Sequence, residues 1–399
     1  GRVHRRLWAA ERTVDALGAT ALGGAALMSW YARLLGATVE RDVDLHAVPP
    51  VTGYLRLGRG CSIEPEVDLG GYWIDGDVLR LGAVSVGRRA RVGTRSMLCP
   101  GAVVGDDAEV APGSAVMGTV PEGEFWSGAP AVRVHDSARG PWARRPETAR
   151  GWTGVYTAAG LGLAALPLLA TLLAGVVVIV LAGGGAELGA GAALGRLVLW
   201  ALPAALLGFA VLAVLVGALV RFCGRGIVTG VHPVRSGVAL RVWITVRVLD
   251  EARTWLFPLY SSVLTPVWLR LLGARIGPGV EASTVLLVPT LTTVGEQAFL
   301  ADDTLLGGYE LGGGWLRVER VKVGKRSFLG NSGMAAPGRK VPKRSLVAVL
   351  SAAPHRKVAK AGVSWLGSPP APLRRSAEDA DDHRTYDPPR RLVVARTAW

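Results

Sequence analysis

The feature that most constrains this chain is a long-range repeat. Arg33-Leu34-Leu35-Gly36-Ala37 returns as Arg270-Leu271-Leu272-Gly273-Ala274, 237 residues later (270 − 33). The register then runs without a gap to Pro100-Gly101 and Pro337-Gly338, pairing Gly58 with Gly295, Gly71-Tyr72 with Gly308-Tyr309 and Val86-Gly87 with Val323-Gly324. After a slip of two residues, Trp126-Ser127-Gly128-Ala129-Pro130 meets Trp365-Leu366-Gly367-Ser368-Pro369. One register held through so many glycines marks a tandem duplication, so the fold has to be built from two similar modules.

Each copy carries a finer repeat. Aliphatic residues recur every six positions at Val39, Leu45, Val51, Leu57, Ile63 and Leu69, and again at Val86, Val92, Leu98, Val104, Val110 and Val116. The second copy repeats the ladder at Ile276, Ala282, Val288, Val294, Leu300 and Leu306, then at Val323, Leu329, Ala335, Val341 and Val347. A period of six is neither helical nor that of a two-faced strand. It is the hexapeptide pattern of a parallel β-helix, in which each short strand sends one aliphatic side chain to the axis. Equal-length interruptions at 70–85 and 307–322 break the phase with Gly-Tyr, further glycines and acids. These loops are expected either to project from the prism as binding elements or to cover a coil edge as plain surface hairpins.

The net charge of +14 and the pI near 10.4 point to anionic partners, and the apolar patterning selects membrane lipid over nucleic acid. Between Arg150 and Arg221 the only charged residues are Glu187 and Arg196, so two stretches, 152–181 and 197–222, are each long enough to cross a bilayer. Arg144, Arg145 and Arg150 precede this pair and Arg221 and Arg225 follow it. The expected structure is a transmembrane hairpin with both modules in the cytoplasm and Glu187 outside. Each module has a lead-in in which Trp8, Arg12 and Asp15 correspond to Trp243, Arg247 and Asp250, a composition suited to the bilayer interface. A third spanning helix near 17–35 is a weaker candidate. Cys61, Cys99 and Cys223 have no metal spacing and fit a reducing compartment. The polar stretch 376–391 reads as a linker within a longer protein.

Candidate chemistry is sparser. No Walker loop, Gly-x-Ser-x-Gly elbow or His-Glu-x-x-His motif is present. His46 lies in Asp42-Val43-Asp44-Leu45-His46, where the acids would raise its basicity and suit it to deprotonate an amine; the alternative is an exposed corner histidine, and the second copy has Ser283 there. Carboxylates persist better between copies. Asp44 pairs with Glu281, and Glu66 of Glu64-Pro65-Glu66-Val67-Asp68 pairs with Asp303 of Ala301-Asp302-Asp303. Directed away from the axis, they would hold a cationic substrate or assist proton transfer, unless they are solvated turn acids. Tyr72 and Tyr309 would add a hydroxyl or a cation-binding ring face.

The ladder and the closing Trp-x-Gly-x-Pro element resemble the left-handed β-helix acyltransferases of the hexapeptide-repeat class. The segments DVDLHAVPPVTG, CSIEPEVDLGGYWIDGD, FLADDTLLGGYELGGGW, FLGNSGMAAPGRKVP and SWLGSPP more specifically resemble the C-terminal membrane region of nonribosomal peptide synthetase-like proteins of the ε-poly-L-lysine synthetase type. That resemblance implies an adenylation domain and a carrier domain elsewhere, a phosphopantetheine on the carrier and no cofactor in this chain. It implies amide-bond formation between a carrier-bound aminoacyl thioester and an amine, with an amino acid as substrate. His46, Glu66 and Asp303 would be catalytic, and Asp44, Glu64, Asp68, Tyr72, Glu281, Asp302 and Tyr309 would bind substrate. A coenzyme A-dependent acyltransferase and a noncatalytic membrane scaffold are the rival readings. The expected fold is mainly β plus transmembrane α. A lead-in (1–35), a first left-handed β-helix module (36–137) and a linker (138–151) precede the helix hairpin (152–222). A second lead-in (223–273), a second module (274–371) and a linker (372–399) follow it.

Overall fold

The computed structural model describes residues 2–16, 23–24, 26–135, 140, 142, 144–147, 151–181, 190–373, 386 and 388–398. Arg150, the loop at Glu187 and most of the 376–391 stretch lie outside them.

In the first module very short strands stack in parallel. One sheet holds Thr38–Val39, Leu55–Leu57, Val84–Val86, Val103–Val104 and Thr119–Val120. A second holds Asp44–Leu45, Ser62–Ile63, Arg91–Val92, Glu109–Val110 and Phe125–Gly128, finished by the antiparallel strand Ala131–His135. Met97–Leu98 and Ala115–Val116 form a third, to which Asp68 adds a bridge. Consecutive strands fall on successive sheets, so the chain circulates, and Val86 pairs with Val104, 18 residues on (104 − 86). That spacing is three steps of the six-residue ladder. The second module repeats the arrangement, with Val323 against Val341 and Leu329 against Val347.

The ladder residues fill the interior. Ile63, Val92, Val110, Leu300, Leu329, Val341 and Val347 are all fully buried. Two positions depart from the pattern. Val51 follows Pro49-Pro50 and lies outside any strand, because proline lacks the N–H that a parallel ladder needs. In the second module Leu287 takes the strand position expected for Val288 and pairs with Leu306, 19 residues on (306 − 287). A 3₁₀ turn at Pro289–Leu291 absorbs the slip.

Both interruptions form antiparallel hairpins. The first joins Tyr72–Asp75 to Val78–Leu81. The second joins Glu310–Gly312 to Trp315–Val318, and Gly230–Pro233 adds a third strand.

The described helices are α1 (Arg2–Ala16), α2 (Ala26–Leu34), α3 (Trp152–Leu181), α4 (Ala190–Gly224), α5 (Gly237–Trp255), α6 (Phe257–Tyr260), α7 (Thr265–Leu272) and a C-terminal helix, Arg390–Ala398. Within α3 and α4, Trp152–Val180 and Val198–Gly224 are long and apolar enough to cross a membrane, and Leu168, Leu172, Val180, Leu199, Leu202 and Val214 are exposed. The two helices pack against each other where Gly208 approaches Ala174, a small-residue contact that lets backbones come close. Of the 17–35 region, residues 17–22 and 25 lie outside the described set, and the helix described there, α2, has 9 residues.

The second lead-in differs from the interfacial helix expected of it. In α5, Ala239, Val242, Trp243, Val246, Arg247, Val248, Leu249 and Ala252 are buried, and the helix packs on α3, α4 and the strand Leu286–Leu287. Buried residues on nearly every side make this a core helix. It couples the apolar pair to the second module.

Candidate functional site

The two modules meet where the second hairpin crosses the second sheet of the first module. The Leu311 N–H donates to Glu64 Oε1 at 2.8 Å. Glu64 also accepts from Arg91 at 2.7 Å and from the Thr94 N–H at 2.8 Å. Arg91 lies 3.8 Å from both Glu109 and Glu310, so one guanidinium serves three carboxylates. Burial raises the Glu64 pKa and the Arg91 charge opposes it. Trp142 straps this cluster, donating to Glu109 at 2.8 Å with the Arg91 guanidinium over its ring. Glu64 is therefore structural: it anchors the hairpin.

His46 sits at the same seam, fully enclosed. Its Nδ1 lies 2.6 Å from the Tyr309 hydroxyl, Arg247 donates to its carbonyl at 2.7 Å, and Arg247 also bonds the Tyr309 oxygen. With that oxygen already accepting from Arg247, its own proton is directed to Nδ1. Gly24, at φ +89°, closes over the ring; a Cβ there would come within 2.7 Å of Nδ1 and 2.8 Å of the Trp243 indole nitrogen. Burial and the Arg247 charge push the His46 pKa down to about 3. The expectation that neighbouring acids raise its basicity is thus corrected. Neither Asp42 nor Asp44 touches the ring in any described hydrogen bond: the ring is taken up by Tyr309, and Asp44 accepts from Ser62 instead. His46 holds Tyr309 in place as a neutral positioning residue.

Glu66 and Asp303 do come together across the seam, but through arginines. They occupy equivalent corners with left-handed φ of 59° and 55°. Arg95 bonds Glu66 at 2.5 Å and Asp303 at 3.0 Å, and Arg253 bonds Asp303 at 2.6 Å and also pairs with Asp250. Cationic partners already neutralise both carboxylates, so neither presents a vacant site for a substrate ammonium. Arg95 and Arg253 thus join them in an inter-module ion-pair network.

Asp44 behaves differently. It is buried, Ser62 Oγ donates to it at 3.4 Å, Arg145 stays 3.9 Å away, and Arg235 also bears on it. Burial wins over the arginines and pushes its pKa up to about 6. It lines a cleft of about 230 Å³ with Glu40, Asp42, Arg33 and Arg235, walled by Trp30 of α2 and by Trp152 and Tyr156 at the start of α3. Tyr156 is fixed by its bond to the Val234 carbonyl at 2.6 Å and by edge contact with Trp243. Three carboxylates against two arginines, beside aromatic faces, leave this small cleft net acidic, which suits a primary ammonium.

A second cleft, of about 650 Å³, adjoins it and shares Asp42. Its wall carries Arg59, Arg88, Arg89, Arg144 and Arg145 against Asp42, Asp107 and Glu109, with Trp142 and Gly313 of the second hairpin at its rim. Arg89 is paired with Asp107, while Arg59 and Arg88 stand 3.8 Å from Asp42 and Glu40 respectively and Arg145 stands 3.9 Å from Asp44, each too far for a tight pair. The surplus of guanidinium suits a phosphate.

The remaining expected residues are dispersed. Asp68 accepts from the Gly70 N–H at 2.8 Å, and Tyr72 donates to Glu11 of α1 at 2.9 Å. Glu281, Ser283 and Asp302 line an open cleft of about 810 Å³ on the second module, where Asp302 accepts from Ser283. The sequence reading missed Trp30, Trp142, Trp152 and Tyr156. For Trp152 and Tyr156 the signal was their spacing at the start of the apolar stretch, four residues apart and so on one helix face, whereas no local pattern marks Trp30 or Trp142.

No protein-family model matches the chain. It is 29% identical over 403 residues to the Delta-poly-L-ornithine synthetase of Acinetobacter baumannii (strain AB307-0294), a match that covers 97% of this chain and 30% of that protein. The resemblance to poly-amino-acid synthetases of the nonribosomal peptide synthetase-like kind is thereby borne out. Among solved structures, serine acetyltransferase from Neisseria gonorrhoeae is 26% identical over 27% of this chain and 40% of its own, with a TM-score of 0.22. The soybean serine acetyltransferase apoenzyme is 15% identical over 43% of this chain and 76% of its own, also with a TM-score of 0.22. Superpositions that limited carry no argument.

Proposed function

We propose that this chain forms amide bonds in a membrane-bound poly-amino-acid synthetase, and that the reaction takes place where the two clefts of the first module meet at Asp42. The observation that carries this reading is the pairing of an acidic, aromatic cleft with a basic one on the partner face of a single carboxylate. The first suits an acceptor amine and the second the phosphate of a carrier arm. Similarity to a poly-ornithine synthetase over nearly the whole chain supports the substrate class, a cationic amino acid.

In this reading the modules are left-handed β-helices that arose by tandem duplication. The apolar helices cross the cell membrane as a hairpin, and both modules face the cytoplasm beside the arginine-rich ends. Separate adenylation and carrier domains would deliver the aminoacyl group as a thioester on phosphopantetheine, which supplies the activated acyl bond. The residues of this chain do the rest. Arg59, Arg88 and Arg144 bind the phosphate, Trp30 and Trp152 flank the acceptor ammonium, and Asp44 takes the proton that the amine must lose before it attacks. The C–N bond then forms as the thioester C–S bond breaks, and the carrier thiolate leaves and takes up a proton. A carboxylate near 6 is mostly ionised at neutral pH and so ready to accept a proton, as a general base should be. Backbone N–H groups at the glycine corners would hold the developing oxyanion.

Free coenzyme A carries the same phosphopantetheine, so the basic cleft also suits a coenzyme A-dependent transfer. Titration of the detergent-solubilised chain with phosphopantetheine-loaded carrier and with free coenzyme A separates the two. Carrier binding that weakens about tenfold or more in Arg59→Ala/Arg88→Ala is expected, since each charge-assisted contact is worth about 1.5–3 kcal/mol. Carrier binding that ignores both substitutions would remove the donor from this cleft.

A further inference from the structure

A second basic cleft, on the outer face of the first sheet of the second module, is unexplained by amide formation. It encloses about 540 Å³ and is lined by Arg275, Arg320, Lys322, Lys340 and Arg356 with the hydroxyls of Thr290 and Thr293, and no carboxylate lines it. The strands put these cations side by side. Arg275 pairs in register with Thr293, Thr293 with Lys322, and Lys322 directly with Lys340. Arg356 reaches in and donates to the Arg320 carbonyl at 3.1 Å. All five cationic residues are exposed, and among the described residues none of them forms a salt bridge.

Like charges directly opposite in neighbouring strands destabilise a sheet. Elsewhere this protein relieves such charge locally: Lys325 pairs with Glu296, Arg317 with Glu310 and Glu319, and Arg80 with Asp75. The first module shows that the fold does not require a basic face here. Its corresponding register positions are Thr38, Arg56, Ser85 and Val103, which carry one charge. The uncompensated cleft is a property of the second module alone. Its Thr290 end abuts Gly224 at the last residue of α4, whose final turn carries Arg221.

We propose that this cleft binds a ligand carrying two or more phosphates. Lys322 and Lys340 would take adjacent phosphates from neighbouring strands, Arg275 and Arg320 would add planar donors, and the Thr293 hydroxyl would donate to a phosphate oxygen between them. The volume is within the range of small-ligand sites. Two sources share this chemistry: a soluble oligophosphate, or the headgroup of an anionic lipid reached at the end of α4. The proposal is independent of the amide-forming reading, because its residues all lie on the other module.

The test uses the full chain with inorganic tripolyphosphate as probe. Calorimetric titration in nonionic detergent should show saturable binding that falls steeply with salt and weakens at least tenfold in Lys322→Ala/Lys340→Ala. Lys325→Ala, at a paired lysine outside the cleft, should leave it unchanged. A second arm places the chain in phosphatidylcholine nanodiscs with or without phosphatidylglycerol. Retention of phosphatidylglycerol that depends on Lys322 and Lys340 assigns the site to lipid, and tripolyphosphate binding without such retention assigns it to a soluble ligand. Absence of both, or binding that the double variant leaves intact while it remains folded by circular dichroism, overturns the proposal.

Discussion

The two hairpins stand at equivalent places in the repeat, yet one is docked and the other is open. In the second, Leu311, Leu316 and Val318 are each 0% exposed, lying between the first module, the strap at Trp142 and the added strand Gly230–Pro233. In the first, Trp73 is 38%, Ile74 56% and Val78 58% exposed. Backbone geometry does not explain the difference, since both are antiparallel hairpins between sheet strands. Their partners do. Gly312 leaves room for the Trp142 ring, which a Cβ would meet, and Glu310 and the Leu311 N–H complete the cluster around Arg91 and Glu64. The position in the second module equivalent to Glu64 is Ala301, which offers no such anchor. The modules thus dock in one direction. The face of the first is covered and shaped, and that of the second, with Glu281 and Asp302, stays open.

The largest expected effect tests this contrast at one register position. Leu311→Asp buries an unpaired charge at the seam and should cost several kcal/mol, seen as a collapse of the melting temperature or of expression. Ile74→Asp, at the matching place on the open hairpin, should stay within about 0.5 kcal/mol of the parent. Equal effects would mean that the two hairpins do not differ in the way described.

A smaller effect sharpens it. His46 has a depressed pKa in the folded state, about 3 against an ordinary 6.5, so the unfolded chain binds the extra proton between those values. Stability contributed by the neutral, buried ring is therefore present above about pH 6.5 and is lost as pH falls, with a slope of at most about 1.4 kcal/mol per pH unit. Thermal melts at pH 7 and pH 5 should show a drop that is reduced in His46→Gln. The second module has Ser283 at this position and contributes nothing to the difference. Identical pH dependence in parent and variant would contradict the enclosed, neutral histidine.

Much of the fold was legible in the residues. The six-residue ladder located the interior, and the phase breaks located both hairpins, because hexapeptide packing leaves a strong local signature. The apolar stretches located α3 and α4. The site was less legible. Glu66 and Asp303 read as free acids since their neutralising Arg95 and Arg253 come from other coils and another helix, and nothing local encodes that meeting. Asp44 looked like one turn acid among several, and only the arrival of α2 and α3 over it gives it burial and a raised pKa. The lead-in α5 read as amphipathic because its arginines stood out, whereas Arg247 is buried against His46 and Tyr309.

In the proposed reaction the first module's Asp44 cleft, and not its counterpart in the second, carries the bond-forming step. Polymer formation by the full-length protein that contains this chain, measured with Asp44→Asn and with Glu281→Gln at the equivalent position, tests it most directly. Loss of the base should lower turnover about 10²-fold or more while amino-acid adenylation is unchanged, and the parent's rate should rise with pH through about 6 as Asp44 ionises. Glu281→Gln should stay within about twofold of the parent, as expected of a residue outside the reacting atoms. Normal product from Asp44→Asn, or an equal loss from Glu281→Gln, would contradict the account.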